Sequence, residues 1–205
     1  MTVDNLVRDS AYERRREQFV LLILAAVQFT TIVDFMIVMP LGPQLMRSLH
    51  INPAQFGLIV SSYTFAAGAA GLIASSIVDR FARRTTFLVL YTGFLVGTLC
   101  CALAPTYHAL AVARVVTGAF GGILGGMSMA IIGDVFPEER RGLATGSLMA
   151  GFALASVAGV PAGLYFGTKY GWHIPFIGLA VGGTLPLLLA PFVLPPLDGH
   201  VGNKH

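Results

Sequence analysis

Two ionisable side chains stand alone within long apolar stretches of this chain: Asp34 and Arg114. A charge placed in hydrocarbon costs roughly 3 kcal/mol on insertion scales and about 10 or more in some simulations. Groups that persist there face a protein interior or a wet cavity. An acid in such a place can take up and release a proton. An arginine beside it can balance its charge or hold a polar ligand. Desolvation and a neighbouring guanidinium act in opposite senses on a carboxyl's hold on its proton, so a ligand displacing Arg114 from Asp34 would switch its protonation. The alternative is a permanent ion pair that only orders the bundle.

The elements that must position this pair are helices. Six segments reach the roughly 20 apolar residues needed to span a bilayer: 18–40, 54–78, 86–104, 109–133, 143–167 and 174–194. The breaks between them are turn-like or charged: Gly42-Pro43 to Pro53, Asp79 to Arg84, Ala104-Pro105-Thr106, Asp134 to Arg141, and Lys169 to His173. Asp34 lies six residues before Pro40 and Arg114 five after Ala109, which puts both roughly 8–9 Å below the same face. Gln28, Thr31 and Asp34, spaced by three, form a polar stripe on the first span.

Composition agrees with a membrane bundle. The 205 residues are 55% hydrophobic and 11% charged, with mean hydropathy +0.75. Soluble domains carry about 25% charged residues. The net charge of +3 is no nucleic-acid signal, because the cations sit in short loops beside the spans. Ten of the 13 basic residues fall on one side and Arg47 and Lys169 on the other, which places both termini in the cytoplasm. The expected organisation is a cytoplasmic segment 1–17, a six-helix bundle 18–194 and a cytoplasmic tail 195–205. The first apolar run is too long for a cleaved leader and is expected to stay as a span. If spans one to three and four to six are repeats, their odd number inverts the second triplet relative to the first. The fold class is thus all-α and polytopic, six transmembrane helices as two inverted three-helix repeats.

Smaller signals point to packing. Gly118, Gly122 and Gly126 step by four in the fourth span, and Gly159, Gly163 and Gly167 in the fifth. Such spacing lets backbones approach within a bilayer, either as a static contact or as a surface on which helices rock. Adjacent Cys100 and Cys101 read as small packing residues, and neither a metal site nor a cofactor is expected. Phe35, Met36 and Tyr63 either line an apolar pocket or pack ordinarily. No G-x-S-x-G, H-E-x-x-H or phosphate loop is present, so an enzyme is not expected.

Three motifs carry a resemblance. The loop after the second span reads Ser75-Ser-Ile-Val-Asp79-Arg80-Phe-Ala82-Arg83-Arg84 and resembles the G-x-L-a-D-R-x-G-R-[RK] signature of the major facilitator superfamily, with both glycines replaced. Arg114-Val-Val-Thr117-Gly118 resembles that family's R-x-x-q-G motif, with threonine for glutamine. Gly159-Val-Pro161-Ala-Gly163 is similar to its antiporter signature G-P-x-x-G, with the proline shifted by one. That last variant, with Gly171-Trp172 after the span, looks most like the drug and sugar efflux branch, and Asp34 before Pro40 resembles the acidic first-helix motif of that branch.

The resemblance implies a proton-coupled efflux antiporter in a cell's inner or plasma membrane, moving a small amphipathic compound or sugar. Asp34 would carry the proton and Arg114 would modulate it or bind substrate. Asp79, Arg80, Arg83 and Arg84 would control the inward–outward change, with Asp134 as charge partner; the plainer reading of these residues is a solvated topology loop. Gly159, Pro161 and Gly163 would bend the fifth span. A typical member has twelve helices and this chain supplies six. That leaves a homodimer, a separate C-terminal half or a truncated product, and an alternative role as a non-transporting half-module assembling with another transporter chain.

Overall fold

The computed structural model describes residues 3–75 and 83–194, with side chains from residue 14 onward. The described residues are helical throughout, with short connections: α1 (Val3–Ile37), α2 (Gly42–Leu49), α3 (Pro53–Ser75), α4 (Arg83–Ala102), α5 (Tyr107–Val135), α6 (Glu138–Leu154), a π-helical turn (Ala155–Gly159), α7 (Val160–Tyr170) and α8 (His173–Val193). Six helices are long and apolar enough to cross a bilayer: Arg14–Ile37 within α1, then α3, α4, α5, the composite of α6 with α7, and α8.

Local chemistry sets the ends. Asn52 and Gln55 cap α3 reciprocally, each backbone N–H donating to the other's side chain at 3.0 and 2.9 Å, and Pro53 follows at the first helical position. Thr106 Oγ1 accepts from the Ala109 N–H at 3.3 Å to start α5. Gly171, with φ +110°, turns the chain from α7 into α8.

The stretch from Gly42 to Pro53, expected as a turn, contains α2. The reason is a four-residue spacing of Leu41, Leu45 and Leu49. Leu41 and Leu45 are fully buried and Leu49 packs against the same cluster, while Pro43 and Arg47 face outward. The fifth span is also not one regular helix. Pro161 has no N–H for the Val157 carbonyl, and the chain ahead of it widens into a π turn in which the Val160 N–H reaches Ala155 O, five residues back.

The principal helix contacts respect the repeat. α3 packs on α5 as the fifth span packs on α1, α4 packs on α5 as α8 packs on α1, and α4 meets α8. Exchanging the first span with the fourth, second with fifth and third with sixth maps these pairs onto one another. Two apolar clusters fill the bundle. One holds Leu24, Phe87, Tyr91, Phe94, Leu124 and Ile131, the other Ile37, Leu45, Ile59, Leu110, Trp172 and Phe176. Between them lies a buried polar layer of Thr30, Thr31, Asp34, Thr98, Arg114 and Thr117.

Close approach of α3 and α5 depends on two glycines. A Cβ at Gly118 would strike the α3 backbone at Tyr63, and one at Gly122 would strike it at Ala67, whereas Gly126 faces open space. Gly122→Val is expected to destabilise the bundle by about 1–3 kcal/mol, the usual cost of overpacking. Gly126→Val should leave unfolding in detergent nearly unchanged. Equal effects of the two substitutions would disprove the backbone contact.

Candidate functional site

Asp34 projects from the last full turn of α1 and Arg114 from the second turn of α5, and the structure brings them together. Arg114 Nη1 donates to Asp34 Oδ2 at 2.7 Å and to the Asp34 backbone carbonyl at 3.3 Å. Both residues are 0% exposed. The other carboxylate oxygen, Oδ1, accepts from Thr98 Oγ1 on α4 at 3.1 Å. Three spans are therefore joined through one carboxylate. α1 and α5 otherwise meet only briefly, so the ion pair is their main tie.

The guanidinium is sandwiched rather than saturated. Its Cζ lies 4.2 Å from the centroid of the Tyr63 ring on α3, a cation–π contact. Its Nε and Nη2 are buried and make no hydrogen bond among the described residues. Thr117 Oγ1, one turn along α5, donates to Ala113 O at 2.7 Å and lies 3.6 Å from Cys101 Sγ. Tyr63 also borders a cavity of about 290 Å³ between α1, α3 and α5, lined further by Gln28, Thr31, Thr64, Gly121, Gly122 and Gly125. Phe35 lines it too, with its ring centroid 5.3 Å from that of Tyr63. Met36 points elsewhere, its sulfur 3.6 Å from Ser156 Oγ.

Thr98 and Tyr63 are thus part of the site. Thr98 was not singled out by sequence reasoning, though it was within reach of the depth argument: it lies six residues before the expected end of its span at Ala104, as Asp34 lies six before Pro40. Tyr63 was expected, with Phe35 and Met36, as pocket lining or ordinary packing; Tyr63 and Phe35 do line a cavity, but nothing in an apolar span announces that the Tyr63 ring covers Arg114.

At the opposite, arginine-rich end the remaining candidates separate. Arg83 Nη1 pairs with Asp134 Oδ2 and also donates to Ala130 O at 3.2 Å. Arg84 donates to the Pro191 carbonyl in the last turn of α8. Arg141 donates to Gly133 O at 2.9 Å and Phe136 O at 3.1 Å. These arginines sit on carbonyls at the C-terminal ends of α5 and α8, where a cation complements the helix dipole. Arg83 and Arg84 are therefore tied into the bundle rather than merely solvated. Asp79 and Arg80 lie outside the described residues.

In the fifth span Gly159 closes the π turn and faces Val33 and Phe29 of α1, while Gly163 faces Ile37. The turn therefore lies against α1 at the level of Asp34, whose neighbour is Val33. Gly159 and Gly163 thus pack on the same part of α1 that carries the carboxylate, and Pro161 marks the break between them.

Comparison with known proteins agrees with this architecture. The inner membrane transport protein YdhP of Escherichia coli is 26% identical over 158 residues, covering 76% of this chain and 41% of that protein. The MFS-type transporter YfhI of Bacillus subtilis is 28% identical, covering 90% and 49%. Multidrug resistance protein 3 of Bacillus subtilis is 33% identical, covering 62% and 25%. Among solved structures, a bacterial homologue of the human lysosomal transporter Spinster, inward-facing and unoccupied, superposes with a TM-score of 0.76 at 17% identity, covering 89% of this chain and 44% of that one. A peptide transporter POT superposes at 0.75 and 19% identity, covering 92% and 39%. The chain spans less than half the length of these relatives. With the sequence model of the Major Facilitator Superfamily matching residues 24–204, this multi-pass membrane protein belongs to that transporter family.

Proposed function

We propose that this chain supplies one six-helix half of a proton-coupled efflux antiporter for a small amphipathic compound or sugar, with both termini in the cytoplasm. The observation that carries the reading is the half-satisfied guanidinium of Arg114. One edge binds Asp34, while Nε and Nη2 on the other make no hydrogen bond among the described residues. A buried unmade donor costs about 1–3 kcal/mol. A pair kept only for structure would be expected to close that edge. A pair that exchanges partners needs it open.

The exchange runs as follows. A substrate oxygen or a water reaching the free edge draws the guanidinium from Asp34. The carboxylate then keeps only its hydrogen bond from Thr98, and proton uptake neutralises it. Return of Arg114 expels the proton. Tyr63 covers the guanidinium and must move for this to happen. It rides on α3, whose contact with α5 runs over Gly118 and Gly122, a surface smooth enough for small displacement. At the other end Asp79, Arg80, Arg83, Arg84 and Asp134 form the conformational loop, holding or releasing α4 against α5 and α8. The Gly159, Pro161 and Gly163 element gives α1 a compliant neighbour beside the carboxylate. The name of the Bacillus multidrug resistance protein supports a drug-like substrate.

The second half of the transport path would come from a second copy of this chain or a separate C-terminal half. The rival reading, a half-module that assembles with another transporter without transporting itself, draws on the chain's spanning less than half of its relatives' length.

Ethidium efflux from proteoliposomes holding only this chain, driven by an imposed proton gradient, separates the two. Gradient-dependent flux is expected, and Asp34→Asn should abolish it while the protein still inserts. Flux that persists in that variant removes the proton role. No flux from the unsubstituted chain favours the half-module.

A second test concerns the pair itself. Arg114→Ala or Asp34→Ala alone should cost about 3–5 kcal/mol of stability, because each strands a buried charge. The double substitution should cost less than the sum of the two. Additive losses in a double-mutant cycle of unfolding in detergent would show that the two side chains do not interact.

A further inference from the structure

We infer that the groove between α1 and α6 binds a phospholipid with an anionic headgroup, its phosphate at Arg14 and Arg140 and an acyl chain in the cleft above. Two cavities lie end to end along the same helix faces. The first, about 290 Å³, opens at the arginine-rich end and is lined by Arg14, Glu17 and Gln18 of α1 and by Arg140 and Leu143 of α6. The second, about 560 Å³, continues from Leu22 through Ala25 and Phe29 on α1 and from Ser147 through Gly151 on α6. Steps of three and four residues carry each lining from one cavity to the next, so the groove follows one stripe of each helix.

The cleft exists because α6 and α8 both pack on α1 but scarcely touch each other. Its third wall is α8, where Gly178 and Gly182 leave open space at the position of a Cβ. The lining is largely apolar, and the cleft is open on the side away from α1. Arg14 and Ala25 are eleven residues apart, about 16 Å along the helix. One leaflet's hydrocarbon is about 15 Å deep. A chain attached to a headgroup at Arg14 therefore ends beside Ala25.

Charge selects the headgroup. Arg14 is exposed at the mouth, and the exposed Arg15, Arg16 and Arg141 lie next to lining residues in the chain. The carboxylate in the lining, Glu17, accepts from Arg140 at 2.9 Å, and outside the lining Glu138 lies 3.8 Å from Arg141. Glu139 is exposed on the same turn. Arg14 has no ion pair among the described residues, and the lining itself carries two cations against one anion. Basic pockets between membrane helices suit anionic lipid headgroups on this principle.

Native mass spectrometry of the full chain in neutral detergent, titrated with phosphatidylglycerol and with phosphatidylcholine of the same acyl length, tests the assignment. Phosphatidylglycerol should be retained preferentially. Arg14→Gln should weaken its retention about fivefold, the weight of one arginine at an anionic surface. Gly182→Leu, which fills the cleft where nothing else stands, should weaken retention of both lipids. Glu17→Gln should raise retention of phosphatidylglycerol, a gain that misfolding does not imitate. Equal retention of the two lipids by the unsubstituted chain overturns the headgroup assignment. Unchanged retention in Gly182→Leu overturns the place of the acyl chain.

Discussion

The ion pair between Asp34 and Arg114 is the constraint around which the rest of the bundle is arranged. Each ion loses several kcal/mol of hydration on burial, and the mutual attraction only roughly returns it. The bundle meets that cost by surrounding the carboxylate: Nη1 of Arg114 on one oxygen, Thr98 on the other. Those partners come from α5 and α4, so α1 has one rotation and one depth at which the carboxylate is satisfied. The Gly118 and Gly122 contact with α3 then brings Tyr63 over the guanidinium, and the π turn of the fifth span packs on α1 beside the carboxylate.

The pair also marks where the two repeats meet. α1 and α5 correspond under the exchange of triplets, and they face each other across the internal axis with few other contacts. A polar layer there separates the two hydrophobic clusters, each of which packs without it. The halves of the bundle above and below the layer are accordingly anchored by different means. Side-chain packing and the pair hold one end. At the other, Arg83, Arg84 and Arg141 hold the carbonyl ends of α5 and α8.

Much of this was legible in the sequence because the bilayer makes the code simple. Hydrocarbon thickness fixed the count and approximate limits of the spans, and a charge within one is visible at sight. Depth arithmetic put Asp34 and Arg114 at one level before any contact was known. What escaped it was whatever depends on the direction a side chain faces. Tyr63 covers Arg114 because α3 is pulled close by glycines on a different span. The α2 helix was read as a turn because its apolar spacing is only two turns long. The loop arginines were legible as topology signals, but their carbonyl partners at Ala130, Gly133 and Pro191 lie far away in sequence, and no local pattern announces them.

The uneven saturation of Arg114 is the part of the structure that packing alone does not account for. The carboxylate of Asp34 has a partner on each oxygen, so the acid is fully accommodated. The guanidinium has an aromatic face and one satisfied edge, with Nε and Nη2 making no hydrogen bond among the described residues. A rearrangement that moved Arg114 away would leave Asp34 with Thr98 alone, and protonation would then remove the stranded charge. A rearrangement that brought an oxygen to Nε and Nη2 would lower the cost of that move by satisfying the donors first. The two events favour each other through the same side chain. Under the proposed exchange, coupling of a ligand to a proton would run through this one side chain, with Tyr63 moving aside to admit the ligand.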